Sequence, residues 1–412
     1  MTTSKPATSL PLADVPPTSP SRPALTKAQQ ALVDHIVDFA RTHHAASPAA
    51  LVIEGDAGTG KSVVVNAAFE RIQQLARDRQ GHDPLAGSRN LMLVNHPEMI
   101  KFYKRVAGTL PAVRKGDYQR PTSFVNQCHK SGTTADVVFV DEAHLLLSRS
   151  DRYNHFEQDN HLQEILALAK VVVLVFDPHQ VLKFKSYWNR QRLQDLLHGH
   201  VVKHVQLTEQ FRMHAEADVS QWIHGFRAGR LLPLPAEQSF DFRIFDDAQS
   251  MYEAICAHDR TAGMSRMLAT YDYPYTLDGK DHFITEGRFH LRWDRSLPQE
   301  PLAWAERPDT IEEVGSVYTV QGFDLNYAGV ILGPSVGWDE ASQRIRIDTG
   351  RYEDRAAFAG QQGLDDPEEI RQAIMLNAIN VLMTRPTRGL YLYASDPALR
   401  RQLGRLRDQG AA

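Results

Sequence analysis

Cysteine is nearly absent: Cys128 and Cys256 are the only two in 412 residues. They lie far apart, so they offer neither a disulfide framework nor a four-cysteine zinc site, and a reduced cytoplasmic setting is expected. Long apolar runs are lacking too. Nothing approaches the roughly 18 uninterrupted apolar residues of a membrane helix, so no membrane association is expected. Charge of one sign is missing as well. The net charge of −4 gives no global basic signature for nucleic acid, although a local basic groove would suffice. The 18 histidines are scattered, and pairs such as His43-His44 or His198 and His200 have no Cys or acid at ligand spacing. No Ser-His-Asp order is evident, which argues against a serine hydrolase.

Residues 1–24 hold six prolines among Ser and Thr and almost no large apolar side chains. They read as a disordered tail, with docking of a protein partner as the alternative. No apolar stretch of the secretory kind is present there.

From Leu25 onward, short apolar runs alternate with helical patterns. Leu51–Ile53, Leu91–Val94, Val137–Val140 and Val171–Phe176 are dense in β-branched residues without polar alternation. That pattern predicts strands covered on both faces, as in a parallel sheet. Helical stretches such as Val63–Arg77 and Leu162–Lys170 lie between them, so a doubly wound α/β layer is expected. A second such layer follows the Gly- and Pro-bearing stretch 229–235, read as a linker. Its expected strands are Asp241–Phe245, Arg266–Thr270, Ser316–Thr319, Val330–Leu332 and Leu390–Tyr393. Ala248–His258 and Glu368–Met383 read as helices. The predicted plan is a tail at 1–24, a first domain at 25–232, and a second at 233–412 with irregular insertions at about 272–310 and 334–366.

Directly after the first strand stands Gly55-Asp56-Ala57-Gly58-Thr59-Gly60-Lys61-Ser62. The glycines let backbone N–H groups converge on one phosphate, and the helix that follows adds its positive end. Lys61 would reach the β and γ phosphates, and the Ser62 hydroxyl would join a Mg²⁺ shell. A strand ending in Asp141-Glu142 supplies an acid pair at the same edge of the sheet. Asp141 suits Mg²⁺, and Glu142 suits polarising an attacking water. His144 reads equally as a link to the second layer or as a solvated helix start. Gln180, in Phe176-Asp177-Pro178-His179-Gln180, is placed to sense a terminal phosphate. Arg212 follows a strand and can aim a guanidinium at the transferred phosphoryl group.

Two regions suit single-stranded nucleic acid. Residues 89–121 carry seven Lys or Arg against two acids. Residues 183–192 hold four cations with Phe184, Tyr187 and Trp188 interleaved. Cations for phosphates and flat rings for bases is the logic of single-strand binding, with Trp188 the first candidate for stacking.

The order of phosphate loop, DEAH, FDPHQ, QFR, YTVQGFDLNYAGVIL at 318–332 and NAINVLMTRPTRGLYLY at 377–393 resembles superfamily 1 helicases. More narrowly, DVVFVDEAHLL, LTEQFRMH, GSVYTVQGFDLNYAGVILGP and NVLMTR…GLYLY resemble the Schlafen group-3-like DNA/RNA helicase family, uncharacterised bacterial superfamily 1 helicase-like ATPases, over about residues 25–397. Pro386 follows Thr384-Arg385 where that family leads one to expect a small residue. The resemblance implies two RecA-like P-loop NTPase layers with ATP and Mg²⁺ in the cleft between them. It implies one site built from Lys61, Ser62, Asp141, Glu142, Gln180, Arg212, Gln321 and Arg385, with Gln29 in LTKAQQ on the adenine base. The implied activity is ATP-driven movement on single-stranded DNA or RNA. A nucleic-acid-gated ATPase switch that does not unwind is the alternative. A P-loop kinase leaves the motif order after residue 170 unexplained.

Overall fold

The computed structural model describes residues 25–45, 48–55, 58–78, 80–207, 217–235, 240–276, 278, 280–295, 297, 299–361 and 366–410. The tail at 1–24, Asp56, Ala57 and Arg212 lie outside them. The architecture is α/β, with two layers.

The first layer has strands β1 (Ala49–Gly55), β2 (Asn90–Val94), β3 (Tyr118–Gln119), β4 (Ala135–Asp141), β5 (Ala169–Phe176) and β6 (Val201–Leu207), with helices α1 (Lys27–His43), α2 (Lys61–Arg77), α3 (Pro97–Ala107), α4 (Pro121–Ser131), α5 (His161–Leu168) and α6 (Arg190–Leu197). All strand pairs are parallel, in the order β3-β2-β4-β5-β1-β6. Helices cover both faces, which is why β1, β4 and β5 are almost wholly buried and read as unbroken apolar runs. Phe69 of α2, for example, meets Phe139 of β4 edge-on at 5.5 Å.

The second layer begins with α7 (Ala217–Arg227). Trp222 of α7 packs on Phe242 at 4.9 Å and donates to the Leu232 carbonyl at 3.0 Å. The crossing between layers therefore precedes α7, upstream of the expected linker at 229–235, because the apolar face of α7 is spent on the second sheet. That sheet comprises β7 (Asp241–Ile244), β8 (Ser265–Ala269), β9 (His282–Glu286), β10 (Phe289–Trp293), β11 (Glu313–Gly315), β12 (Leu325–Leu332) and, after the small hairpin β13 (Val336–Asp339) and β14 (Arg344–Ile347), β15 (Pro386–Ala394). Its order is β7-β15-β12-β8-β11-β10-β9, parallel except for the β9–β10 hairpin. The helices are α8 (Ala248–Ala262), α9 (Val317–Val320), α10 (Pro367–Met383) and α11 (Pro397–Gly410). The two expected irregular insertions each contain one hairpin.

The expected strand at 316–319 is a short helix instead. Ser316 accepts a hydrogen bond from Tyr318 N at 3.2 Å and caps α9, so a local side-chain acceptor overrides the β-branched run.

Helix α10 is capped by Asp366, opens on Pro367 and is buried along most of its length. It lies between the layers: Asn377 donates to the Val181 carbonyl at 3.0 Å. Nearby, the Phe184 N–H donates to the Ala357 carbonyl at 2.8 Å, and the Phe184 ring sits 5.8 Å from Phe358. The segment after β5 is thus seated in the second layer.

Candidate nucleotide site between the two sheets

In the first sheet β4, β5 and β1 are neighbours, so their C-terminal ends bring Asp141, Asp177 and Gly55 together. Gly58 and Gly60 have φ of 89° and 76°, left-handed values that the loop needs to turn into α2. Gly60 caps α2 and itself brings no side-chain acceptor to the helix's N-terminal donors. Lys61 opens the helix. Its ammonium donates to the Gly55 carbonyl and stands 3.4 Å from Asp177 Oδ2. Burial would raise the Asp177 carboxyl, but Lys61, His144 and a hydrogen bond from Gln180 hold it below the usual carboxylate range.

Ser62 Oγ donates to Asp141 Oδ1 at 3.3 Å. Asp141 is fully buried, and that burial, with the neighbouring Glu142 charge, pushes it up to about 6. A hydroxyl and a carboxylate side by side are the hard oxygen donors that Mg²⁺ takes, and the raised carboxyl marks negative charge that a cation would relieve. The two residues fit that ion.

Glu142 sits at φ 52°, ψ 51°, a left-handed conformation rare for a residue with a side chain and concentrated at functional sites. His144 Nε2 lies 3.0 Å from Glu142 Oε2, yet without the geometry of a hydrogen bond, so this buried oxygen has no hydrogen-bond partner among the described residues. The same ring nitrogen lies 3.3 Å from Gln321 Nε2 of the second layer. Burial lowers the His144 pKa, Glu142 and Asp177 oppose the shift, and Lys61 and Arg385 add to it. A neutral imidazole nitrogen either accepts from Gln321 or donates to Glu142, not both. His144 is therefore buried between the layers rather than solvated.

A continuous polar line crosses the cleft. Lys61 faces Asp177; Gln180 Nε2 donates to Asp177 Oδ2 at 2.7 Å; Arg385 Nη2 donates to Gln180 Oε1 at 3.2 Å. Arg385 also donates from Nε to the Val381 carbonyl at 3.2 Å. Pro386 opens β15 while Arg385 stays in the cleft, 1% exposed.

Sequence reasoning singled out Gln180 but passed over Asp177, although an acid at a strand end three residues before a glutamine was there to be read. Gln29 is buried, and its Oε1 accepts from the Thr26 N–H at 3.0 Å, closing the capping box of α1.

Within the aromatic-basic segment 183–192, Trp188 and Phe184 are not placed to stack on bases as expected. Trp188 is 3% exposed and donates to the Leu146 carbonyl at 2.7 Å; Phe184 is buried. Its cations are all engaged within the chain: Lys183 over the Tyr318 ring, Lys185 with Asp151, Arg190 with Glu54, Arg192 with the Ser148 carbonyl. Trp188 fills a core of the first layer, Phe184 packs with Ala357 and Phe358 of the second, and the cations meet partners within the chain. In 89–121, Lys101 and Arg105 likewise reach Glu300 and Glu306 of the second layer.

A family model described as the Schlafen group 3, DNA/RNA helicase domain matches residues 48–396. The chain belongs to this family. It is 44% identical to a protein of Saccharomyces cerevisiae, "Uncharacterized protein YPL245W", over 93% of this chain and 91% of that one. This relative comes from yeast, outside the bacterial range of the family resemblance. Among solved structures, Pif1 helicase from Candida albicans matches 94% of this chain and 99% of its own at 9% identity and a TM-score of 0.34. AMPPCP-bound DnaA from Aquifex aeolicus matches 49% and 53% at 14% identity and a TM-score of 0.26. Likenesses this distant carry no weight for function. The Schlafen group 3 match spans both sheets and every cleft residue named above, while Gln29 of α1 lies outside it. Among the described residues no helix is long and apolar enough to cross a membrane.

Proposed function

We propose that this chain hydrolyses ATP in the cleft between its sheets and couples that hydrolysis to movement on single-stranded DNA or RNA. The observation that carries this reading is the buried line Lys61–Asp177–Gln180–Arg385, which connects a phosphate loop to an arginine on the opposite layer. Groups on both sides of one phosphate make closure depend on that phosphate.

Each residue then has a task. The loop from Gly55 to Gly60 holds the phosphates, and Lys61 meets the β and γ oxygens. Ser62 and Asp141 hold Mg²⁺. That ion, when bound, neutralises charge on the β and γ oxygens. Glu142 uses its unpartnered oxygen to orient and deprotonate the attacking water. Gln180 senses the terminal phosphate. Arg385, with Arg212 as a second arginine, stabilises charge on the transferred phosphoryl group. Gln321 ties the acid pair to the second layer, and Gln29 contacts the base.

A second reading is a nucleic-acid-gated ATPase switch that binds and signals without unwinding. It is favoured by the small size of the insertions, one hairpin each, and by the internal use of segment 183–192.

The deciding experiment is ATP hydrolysis by the full chain with single-stranded DNA, single-stranded RNA or neither, beside Lys61→Ala and Glu142→Gln. Stimulated hydrolysis that both variants lose is expected. Hydrolysis no greater than in Lys61→Ala would reject the reading. Strand displacement on a tailed duplex then separates movement from switching.

A further inference from the structure

One buried hydroxyl at the site has no part in the chemistry above. Tyr103 of α3 is 3% exposed, and its hydroxyl donates to Asp141 Oδ2, the oxygen that Ser62 does not use. The same hydroxyl accepts from Asn66 Nδ2 at 3.2 Å, and Asn66 also donates to the Ser62 carbonyl at 2.7 Å. The Tyr103 ring is fixed by stacking on Tyr118 at 5.3 Å and 13°. A buried phenol must find a partner, but this one has found the carboxylate assigned to the metal.

The other side of α3 lies on the second layer. Phe102 meets Phe323 edge-on at 6.3 Å. Lys101 Nζ donates to the Glu300 carbonyl at 3.3 Å, and Arg105 pairs with Glu306. Met99 packs so closely on Gly322 that a Cβ there would stand 2.4 Å from its sulfur, and Gly322, at φ 85°, directly follows Gln321. His96 caps the helix, accepting from Met99 N at 3.3 Å. The short helix α3 thus touches the second layer on one side and, through the Tyr103 hydroxyl, Asp141 on the other.

We propose that Tyr103 is a positioning residue, holding the Asp141 carboxylate in the orientation that receives a magnesium-bound phosphate and making that orientation depend on the seating of α3 against the second layer. The inference rests on the nucleotide site proposed above. Groups that hydrogen-bond a metal-bound carboxylate set its direction, and their loss weakens the metal more than the rest of the ligand.

The test is Tyr103→Phe in the full chain, which keeps the stacked ring. A fluorescent, non-hydrolysable ATP analogue is titrated with and without Mg²⁺, and Mg²⁺ is then titrated at fixed analogue. Binding without Mg²⁺ should be unchanged, while the Mg²⁺ midpoint should rise roughly tenfold or more. An unchanged midpoint, or equal weakening with and without Mg²⁺ as a purely structural role requires, overturns the proposal. Phe102→Leu keeps the Tyr103–Asp141 contact and carries the test should Tyr103→Phe fail to fold. A raised midpoint in it supports the link to the second layer, and an unchanged one overturns that link. If the wild-type chain binds no analogue under either condition, it is the nucleotide site itself that is rejected.

Discussion

Arg385 of the second layer donates to Gln180 of the first, Nη2 to Oε1 at 3.2 Å, with both side chains buried. Arg385→Ala should lower single-turnover ATP hydrolysis by on the order of a thousandfold while nucleotide binding persists. Arg385→Lys should recover little, since a point charge does not reproduce a planar fork. Retained turnover in Arg385→Ala removes it as a catalytic arginine.

His144 and Gln321 form the second bridge, Nε2 to Nε2 at 3.3 Å. Gln321→Ala is expected to spare basal hydrolysis and abolish its stimulation by single-stranded nucleic acid. Combined with His144→Ala, the two losses should be non-additive, with a coupling of about 0.5–3 kcal/mol in the stimulated rate. Simple additivity of the two variants would show that the contact transmits nothing.

Asp294 gives a pH signature. Burial pushes it up to about 7, against the opposing influence of the polar groups of Ser316 and Tyr271. An acid whose folded pKa exceeds its unfolded value, near 3.8, holds its proton more tightly in the native chain. Its contribution to stability therefore falls as pH rises from about 4 to 7 and stays lost above that. Asp294→Asn should stabilise the protein by a few kcal/mol more at pH 8 than at pH 4, on the order of the shift converted to free energy. Urea unfolding at both pH values reads this directly, and equal differences at the two would refute it.

Trp188→Ala should destabilise the chain by about 3–5 kcal/mol, the usual cost of truncating a large buried ring. The folded variant should bind a labelled single strand as the wild type does. A selective loss of binding with stability intact would restore Trp188 as a stacking platform.

The central strands were legible because burial on both faces leaves unbroken β-branched runs, as in Val137–Val140. Strand β6, VVKHVQL, was legible only as an unbounded strand before Arg212, since it lies at the sheet edge and keeps polar residues. The β9–β10 hairpin escaped notice for a related reason: its strands HFITE and FHLRW mix polar and apolar residues. Lys61, Asp141 and Gln180 stood out through strand-end position and spacing. Trp188 misled because composition does not say whether rings among cations turn inward. Tyr103 carried no signal at all: only the fold brings α3 over the end of β4.

The pairing of Lys61 with Asp177 has a consequence for ligand choice. A phosphate arriving at the lysine must compete with a resident anion, so the exchange of one negative partner for another yields less affinity than an unengaged ammonium would. Ligands that reach the loop but not the lysine leave the carboxylate where it is. On the proposed reading, one long enough to draw the lysine away would leave Asp177 with Gln180 as its remaining partner on the line to Arg385. On that reading, a triphosphate would then differ from shorter relatives by what it dislodges as much as by what it touches.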